Sequence, residues 1–297
     1  MLRTRLWMGA LMGLMGLGVL VVDHALAPWY PILGVTILIL GCLGTHELRQ
    51  LLPAVHRPFA ILIFPMVVAQ LASHWLIPIL PPTLDILDLQ LSLFTVFVMA
   101  TFIMEIGRYS TTGIATPRIA LTLLTLSYIG LLGGCLARLR WLEVSTASIA
   151  GQAFSFGTLA LAFAFFVPKA GDIGAYFAGH AFGRNKFAPI VSPKKTWEGA
   201  IGGFIGSVAM AVALAQLTPL FAGRLLTAIA FGATLGIASQ LGDLSESILK
   251  RDGQTKDASR TIPGFGGVLD VIDSILFAAP VTLVWLSMMG KLVNSWK

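Results

Sequence analysis

Between two apolar stretches, residues 242–273 set the carboxylates Asp243, Asp257, Asp270 and Asp273 among the cations Lys250, Arg251 and Lys256. Unpaired charges cost several kcal/mol in hydrocarbon, so such a cluster beside apolar spans marks a functional site. Asp270 and Asp273 stand three residues apart at the head of an apolar run, and on a helix both would face the same way. Asp243 closes the preceding run, and a loop over 242–267 that folds back brings it to them. Pro263, Gly264, Gly266 and Gly267 supply the tight turns and bare backbone for that return. Converging carboxylates repel one another, so a metal is their natural partner, and hard oxygen ligands favour Mg²⁺. Carboxylates for a divalent ion beside cations for phosphate point to phosphoryl or nucleotidyl transfer. The plain alternatives are a helix cap at Asp270 and cations that only follow membrane topology. The local density of charge argues against them.

Two upstream groups extend the pattern. Asp172, Tyr176 and His180 are spaced by four and share one helical face, while Gly171, Ala175, Gly179 and Gly183 form a small-residue stripe beside it. The polar face either lines a cavity or is a helix end entering water, and for His180 the second reading is preferred. Ser192-Pro-Lys194-Lys195-Thr196-Trp-Glu198-Gly199 places two cations and two hydroxyls before a helix start, where phosphate oxygens find donors. The same residues would also serve as a juxtamembrane anchor.

These residues must be positioned by membrane helices. The 297-residue chain is 56% hydrophobic and 11% charged, whereas soluble domains are about 45–50% apolar and about 25% charged. Nine apolar segments, near 6–22, 29–44, 58–77, 89–106, 117–137, 150–167, 199–217, 224–241 and 268–289, predict an all-α, polytopic integral membrane protein. The second and sixth look short. Arg3, Arg5 and the apolar run that follows resemble a signal peptide, but the length of the run and Pro28 favour an uncleaved first span. With a cytoplasmic N-terminus, 15 of the 20 Lys and Arg residues fall on the cytoplasmic side. Arg138, Arg140, Arg224, Lys291 and Lys297 fall on the other. The polar connections 168–198 and 242–267 then face the cytoplasm, giving an anchor over 1–167 and a catalytic region over 168–297. Cys42 and Cys135 lie in apolar stretches without metal-like spacing, which argues against a disulfide scaffold or a zinc site.

The run Ser247-Ile-Leu-Lys250-Arg251, then Lys256-Asp257, then Pro263-Gly264-x-Gly266-Gly267-Val-Leu-Asp270-x-Ile-Asp273 resembles the signature of phosphatidate cytidylyltransferases. The Asp172-x-x-Ala-Tyr176 and Ser192 to Gly199 blocks resemble that family too, and further upstream Glu47, placed in the first cytoplasmic loop, adds to the likeness. Phe265 and Val271 stand where the family usually has His and Arg. The resemblance implies CDP-diacylglycerol and pyrophosphate made from CTP and phosphatidate, with one or two Mg²⁺ ions, in a homodimer of the inner membrane. It implies Asp243 and Asp270 as principal metal ligands, with Asp273 and Asp257 beside them. Lys250, Arg251, Lys256, Lys194 and Lys195 would hold phosphates. Tyr176, Ser192, Thr196, Glu198, Gly266, Gly267 and Asp172 would line the substrate site. Membrane lipids are further partners and nucleic acid is not. The competing expectations are a CTP-dependent kinase of a lipid alcohol, a secondary transporter and an inactive scaffold. The spans show no inverted repeat of the transporter kind.

Overall fold

Long apolar runs in lipid can satisfy their backbone only as helices, and helices dominate the computed structural model, which describes residues 2–81, 84–142, 146–149, 152–221 and 223–294. Lys297, assigned above to the outer side, lies outside the described residues. Among the described residues, nine helices are long and apolar enough to cross a membrane. They are α1 (Leu2–His24), α2 (Pro31–Leu51), α3 (Ala60–Ala72, prolonged by a 3₁₀ segment Ser73–Ile79) and α4 (Ile86–Arg108). Next, α5 (Ala115–Thr125) runs through a π-helical stretch, Leu126–Leu131, into α6 (Leu132–Leu139). The remaining spans are α7 (Phe156–Phe182), α8 (Trp197–Leu217), α9 (Leu225–Asp252) and α10 (Leu269–Asn294). The only sheet among the described residues is two antiparallel hairpins. One pairs β1 (Thr146–Ile149) with β2 (Gln152–Ser155), and the other pairs β3 (Lys186–Ala188) with β4 (Ser192–Thr196).

The helix starts follow local chemistry. Thr196 Oγ1 accepts from Gly199 N at 3.1 Å and caps α8, and Asp85 caps α4 through Leu87 N at 3.2 Å. Pro31 opens α2, and buried Asp23 takes its free donors, from Ile32 N at 2.8 Å and Leu33 N at 3.1 Å.

Two connections expected as loops are shorter than the sequence suggests. Residues 168–182 continue α7 and residues 242–252 continue α9. The sixth span is therefore a helix of 27 residues rather than a short one, and the second has 21. The boundary at 167/168 falls inside α7. Hydropathy missed this because α7 carries polar side chains on one face while its other face buries glycine and alanine against α8. The small-residue stripe is what lets the two helices touch. A Cβ on Gly206 would stand 2.7 Å from Ala170 O, and one on Gly174 would stand 2.5 Å from Gly202 O. Backbones that close leave no room for a side chain.

The core runs from the first spans to the last. Phe163, Phe221 and Phe231, all fully buried, meet with centroids 5.2–5.7 Å apart, Phe163 edge to face with the other two. Leu48, Ile63, Met66, Leu126 and Ile129 fill the space among α2, α3 and the π-helical stretch. The outer faces show large apolar side chains such as Leu91, Val96, Met99 and Ile103 of α4, as a lipid solvent requires.

Gly202→Val should drive a branched side chain into Ala178 and the Gly174 backbone. The expected outcome is destabilisation by about 1–3 kcal/mol, read as a lower midpoint of thermal unfolding in detergent.

Candidate active site

The crossing of α9 and α10 builds the site. Gly242 of α9 lies so near α10 that a Cβ there would stand 2.5 Å from Asp273 O. Asp243 and Glu246, three apart on α9, thereby face Asp273 on α10. One oxygen from each of the three lies within 4.8 Å of the other two. Glu246 and Asp273 are buried and Asp243 is half-exposed. Lys195 Nζ, at the end of β4, pairs with Asp243 Oδ2 at 2.6 Å. Glu246 gives Oε2 to Lys250 Nζ, while its buried Oε1 has no hydrogen-bond partner among the described residues.

This is a donor set for a hard divalent cation: three carboxylates in reach of one another, one with a buried oxygen left over. Asp243, Glu246 and Asp273 are therefore the residues that fit Mg²⁺.

Asp270 does not join them, contrary to the expectation from sequence. Its Oδ1 accepts from Lys250 Nζ at 2.6 Å, and its Oδ2 accepts from Ala258 N at 2.9 Å and Gly267 N at 2.7 Å. In the first turn of α10, free backbone donors of the preceding loop claim Oδ2 and the Lys250 ammonium claims Oδ1. Asp273, one turn deeper, is the one that reaches the α9 carboxylates. Lys250, expected to hold phosphate, has a buried ammonium that bridges Glu246 and Asp270 and ties α9 to α10. Glu246 was missed, although its spacing of three from Asp243 and four from Lys250 is the signal that identifies it.

The other expected residues fall into two groups. Lys194 and Lys195 are on β4 and Lys256 is exposed on the loop after α9, with Asp257 beside it and also exposed. Ser192 opens β4, and Thr196 caps α8. Asp172 accepts from Lys169 Nζ at 2.9 Å and from Ser274 Oγ at 3.2 Å. Tyr176 is exposed and stacked parallel on His180. The second group holds the scaffold. Arg251 Nε donates to Val191 O and Nη1 to Thr255 O, each at 3.0 Å, which joins the β3–β4 turn to the loop after α9. Glu198 accepts from Arg184 N at 3.1 Å, Asn185 N at 3.3 Å and Asn185 Nδ2 at 2.9 Å, closing the exit from α7. Gly266, at φ +110°, sits where a Cβ would be 2.7 Å from Asp270 Oδ2. Gly267 lies equally close to the Glu47 carboxylate. Both glycines let acids approach the backbone. Glu198, Gly266 and Gly267, expected at the substrate site, make these contacts within the scaffold. Phe265 points towards α1, where a Cβ on Gly9 would stand 3.7 Å from the ring tip.

Glu47 is the long-range link. It belongs to α2, not to a loop, and is buried. Its Oε1 accepts from Val268 N at 3.0 Å and Ser259 Oγ at 2.6 Å, and its Oε2 accepts from Leu269 N at 2.7 Å. A carboxylate from a remote helix thus caps the start of α10, where anions are favoured. Glu47→Ala leaves those donors without their acceptor and should cost about 1–3 kcal/mol. The check is faster amide exchange over 259–269 together with a lower unfolding midpoint.

The family model of the cytidylyltransferase family matches residues 3–289. A phosphatidate cytidylyltransferase of Haemophilus influenzae is 45% identical over 127 residues, which is 42% of this chain and 44% of that protein. Those of Pseudomonas aeruginosa and Thermotoga maritima are 47% and 42% identical over 116 and 117 residues, each over 38% of this chain and 43% of the relative. The aligned part is thus less than half the length of the curated relatives it matches. The family match covers most of the residues that build the carboxylate crossing and its scaffold, and the chain belongs to the cytidylyltransferase family.

Proposed function

We propose that the protein transfers the cytidylyl group of CTP to phosphatidate, giving CDP-diacylglycerol and pyrophosphate. The observation that carries this reading is the meeting of Asp243, Glu246 and Asp273 beside Lys195, within membrane spans of a cytidylyltransferase-family chain. The names of the relatives, phosphatidate cytidylyltransferase, support the choice of substrates.

The chemistry follows from charge. A phosphatidate oxygen attacks the α-phosphorus of CTP, the bond from that phosphorus to the bridging oxygen breaks, and pyrophosphate leaves from the opposite face. A phosphate monoester, with a second pKa of about 6, is largely ionised near neutrality, so no strong general base is needed. Positioning and charge neutralisation remain. Asp243, Glu246 and Asp273 would hold one or two Mg²⁺ ions, and the bound metal supplies neutralisation of the phosphate oxygens. Lys194 and Lys195 on β4, with Lys256 on the facing loop, offer cations to the triphosphate. Arg251 and Glu198 keep those segments together. The acyl chains stay in the bilayer.

The same proposal places the N-terminus, the β3–β4 hairpin and the loop 253–268 in the cytoplasm, at the inner membrane of a homodimeric enzyme. The bias of 15 of 20 basic residues towards that side supports the orientation.

Purified protein given phosphatidate and CTP labelled at the α-phosphate should yield labelled lipid and one pyrophosphate per turnover. Release of CDP with transfer of the γ-phosphate would replace this reading with a lipid kinase. Glu246→Gln and Asp273→Asn should each raise the Mg²⁺ needed for half-maximal activity, by at least the roughly 10–100-fold that loss of an outer partner brings to metal sites. Asp270→Asn should instead weaken the loop after α9, seen as faster amide exchange there, while the Mg²⁺ requirement moves little.

A further inference from the structure

In-line transfer between two phosphates brings them to one carboxylate cluster from opposite sides. Lys195 pairs with Asp243 of that cluster. Beside the cluster lies a group that the sequence reading counted only among the cytoplasmic cations. Lys169 sits in the interior of α7, inside a membrane span, where a lone ammonium is costly. Its Nζ donates to Asp172 Oδ2 at 2.9 Å and to Ser274 Oγ at 2.9 Å. Ser274 is the residue after Asp273, is wholly buried, and also donates to Asp172 Oδ2 at 3.2 Å.

We propose that Lys169 supplies the cation that receives the phosphate of the lipid substrate, beside the carboxylate cluster, with Asp172 and Ser274 holding its ammonium in place. The inference rests on the reaction proposed above and deepens it. Three observations support the assignment. An ammonium has three donors, and two of those on Lys169 are used among the described residues. Its side chain is 25% exposed and that of Asp172 is 39% exposed, so the pair opens onto accessible space. A pair that served only to balance its own charges would gain little at that exposure, and apolar residues would fill the position at lower cost.

The second argument is placement. Lys194 and Lys195 belong to a hairpin between spans, which a nucleotide reaches from water. Lys169 lies in the interior of α7, apart from that hairpin, in a helix long and apolar enough to border the bilayer that already holds the lipid. Asp172 and Ser274 accept from the Lys169 ammonium and are positioning residues.

The test is steady-state kinetics of the full-length protein in mixed micelles of detergent and phosphatidate. Lys169→Met and Ser274→Ala should each raise the KM for phosphatidate, Lys169→Met by about tenfold or more, as loss of a charge-assisted hydrogen bond does. The KM for CTP and the Mg²⁺ half-saturation should stay within about twofold of wild type, and Lys169→Arg should recover most of the lipid affinity. A rise in the KM for CTP instead, or a fall in kcat with both KM values unchanged, overturns the assignment. If Lys169→Met does not fold, Ser274→Ala and Lys169→Arg decide by the same split. Wild-type protein that makes no CDP-lipid refutes the reaction itself. Wild-type activity with variants that shift nothing refutes only the subsite.

Discussion

Acidic groups brought together inside an apolar bundle repel, and every other part of this structure answers that constraint. The crossing at Gly242 forces Asp243, Glu246 and Asp273 into reach of one another. Their charge is met by a ring of ammonium groups. Lys195 pairs with Asp243, Lys250 bridges Glu246 and Asp270, and Lys169 lies beside Asp172 and Ser274. Each cation comes from a different segment, so the electrostatics of the cluster help fix where β4, α9, α10 and α7 stand. The arrangement is a small polar interior within a lipid-facing protein, and its stability depends on nearly complete pairing.

The scaffold around this interior uses two devices. Close backbone contact between α7 and α8 relies on residues without side chains, because helices in lipid gain little from a hydrophobic drive and must pack at short range. Carboxylates then tie off the helix starts and loops. Glu47 caps α10, Asp270 gathers the loop before it, and Glu198 closes the exit from α7. In all three cases an acid accepts from backbone donors that would otherwise be unsatisfied.

The sequence made much of this legible. Composition and apolar runs suffice for nine spans, because span length is set by the bilayer. The glycine stripe in α7 announced its tight partner. Asp243 and Asp273 were readable as partners because helical spacing and the return loop both direct them inwards. What remained hidden turns on competition between equivalent groups. Asp270 and Asp273 have the same chemistry and lie on the same face, and only the position of the free loop donors decides which one reaches the α9 carboxylates. Glu246 was obscured by its pairing with Lys250, an ordinary i, i+4 pair on any helix surface. The true lengths of α7 and α9 were obscured because hydropathy counts polar side chains without asking which face bears them.

The cap that Glu47 places on α10 has a mechanical consequence. A helix advances about 1.5 Å per residue, and the contacts of Glu47 with Ser259, Val268 and Leu269 span only 2.6–3.0 Å. A small axial slip of α2 would therefore pull its carboxylate off the head of α10. The depth of α2 is set by matching its apolar length to the hydrocarbon around it. A change in bilayer thickness would thus bear first on the head of α10, through a helix that contributes no carboxylate to the cluster.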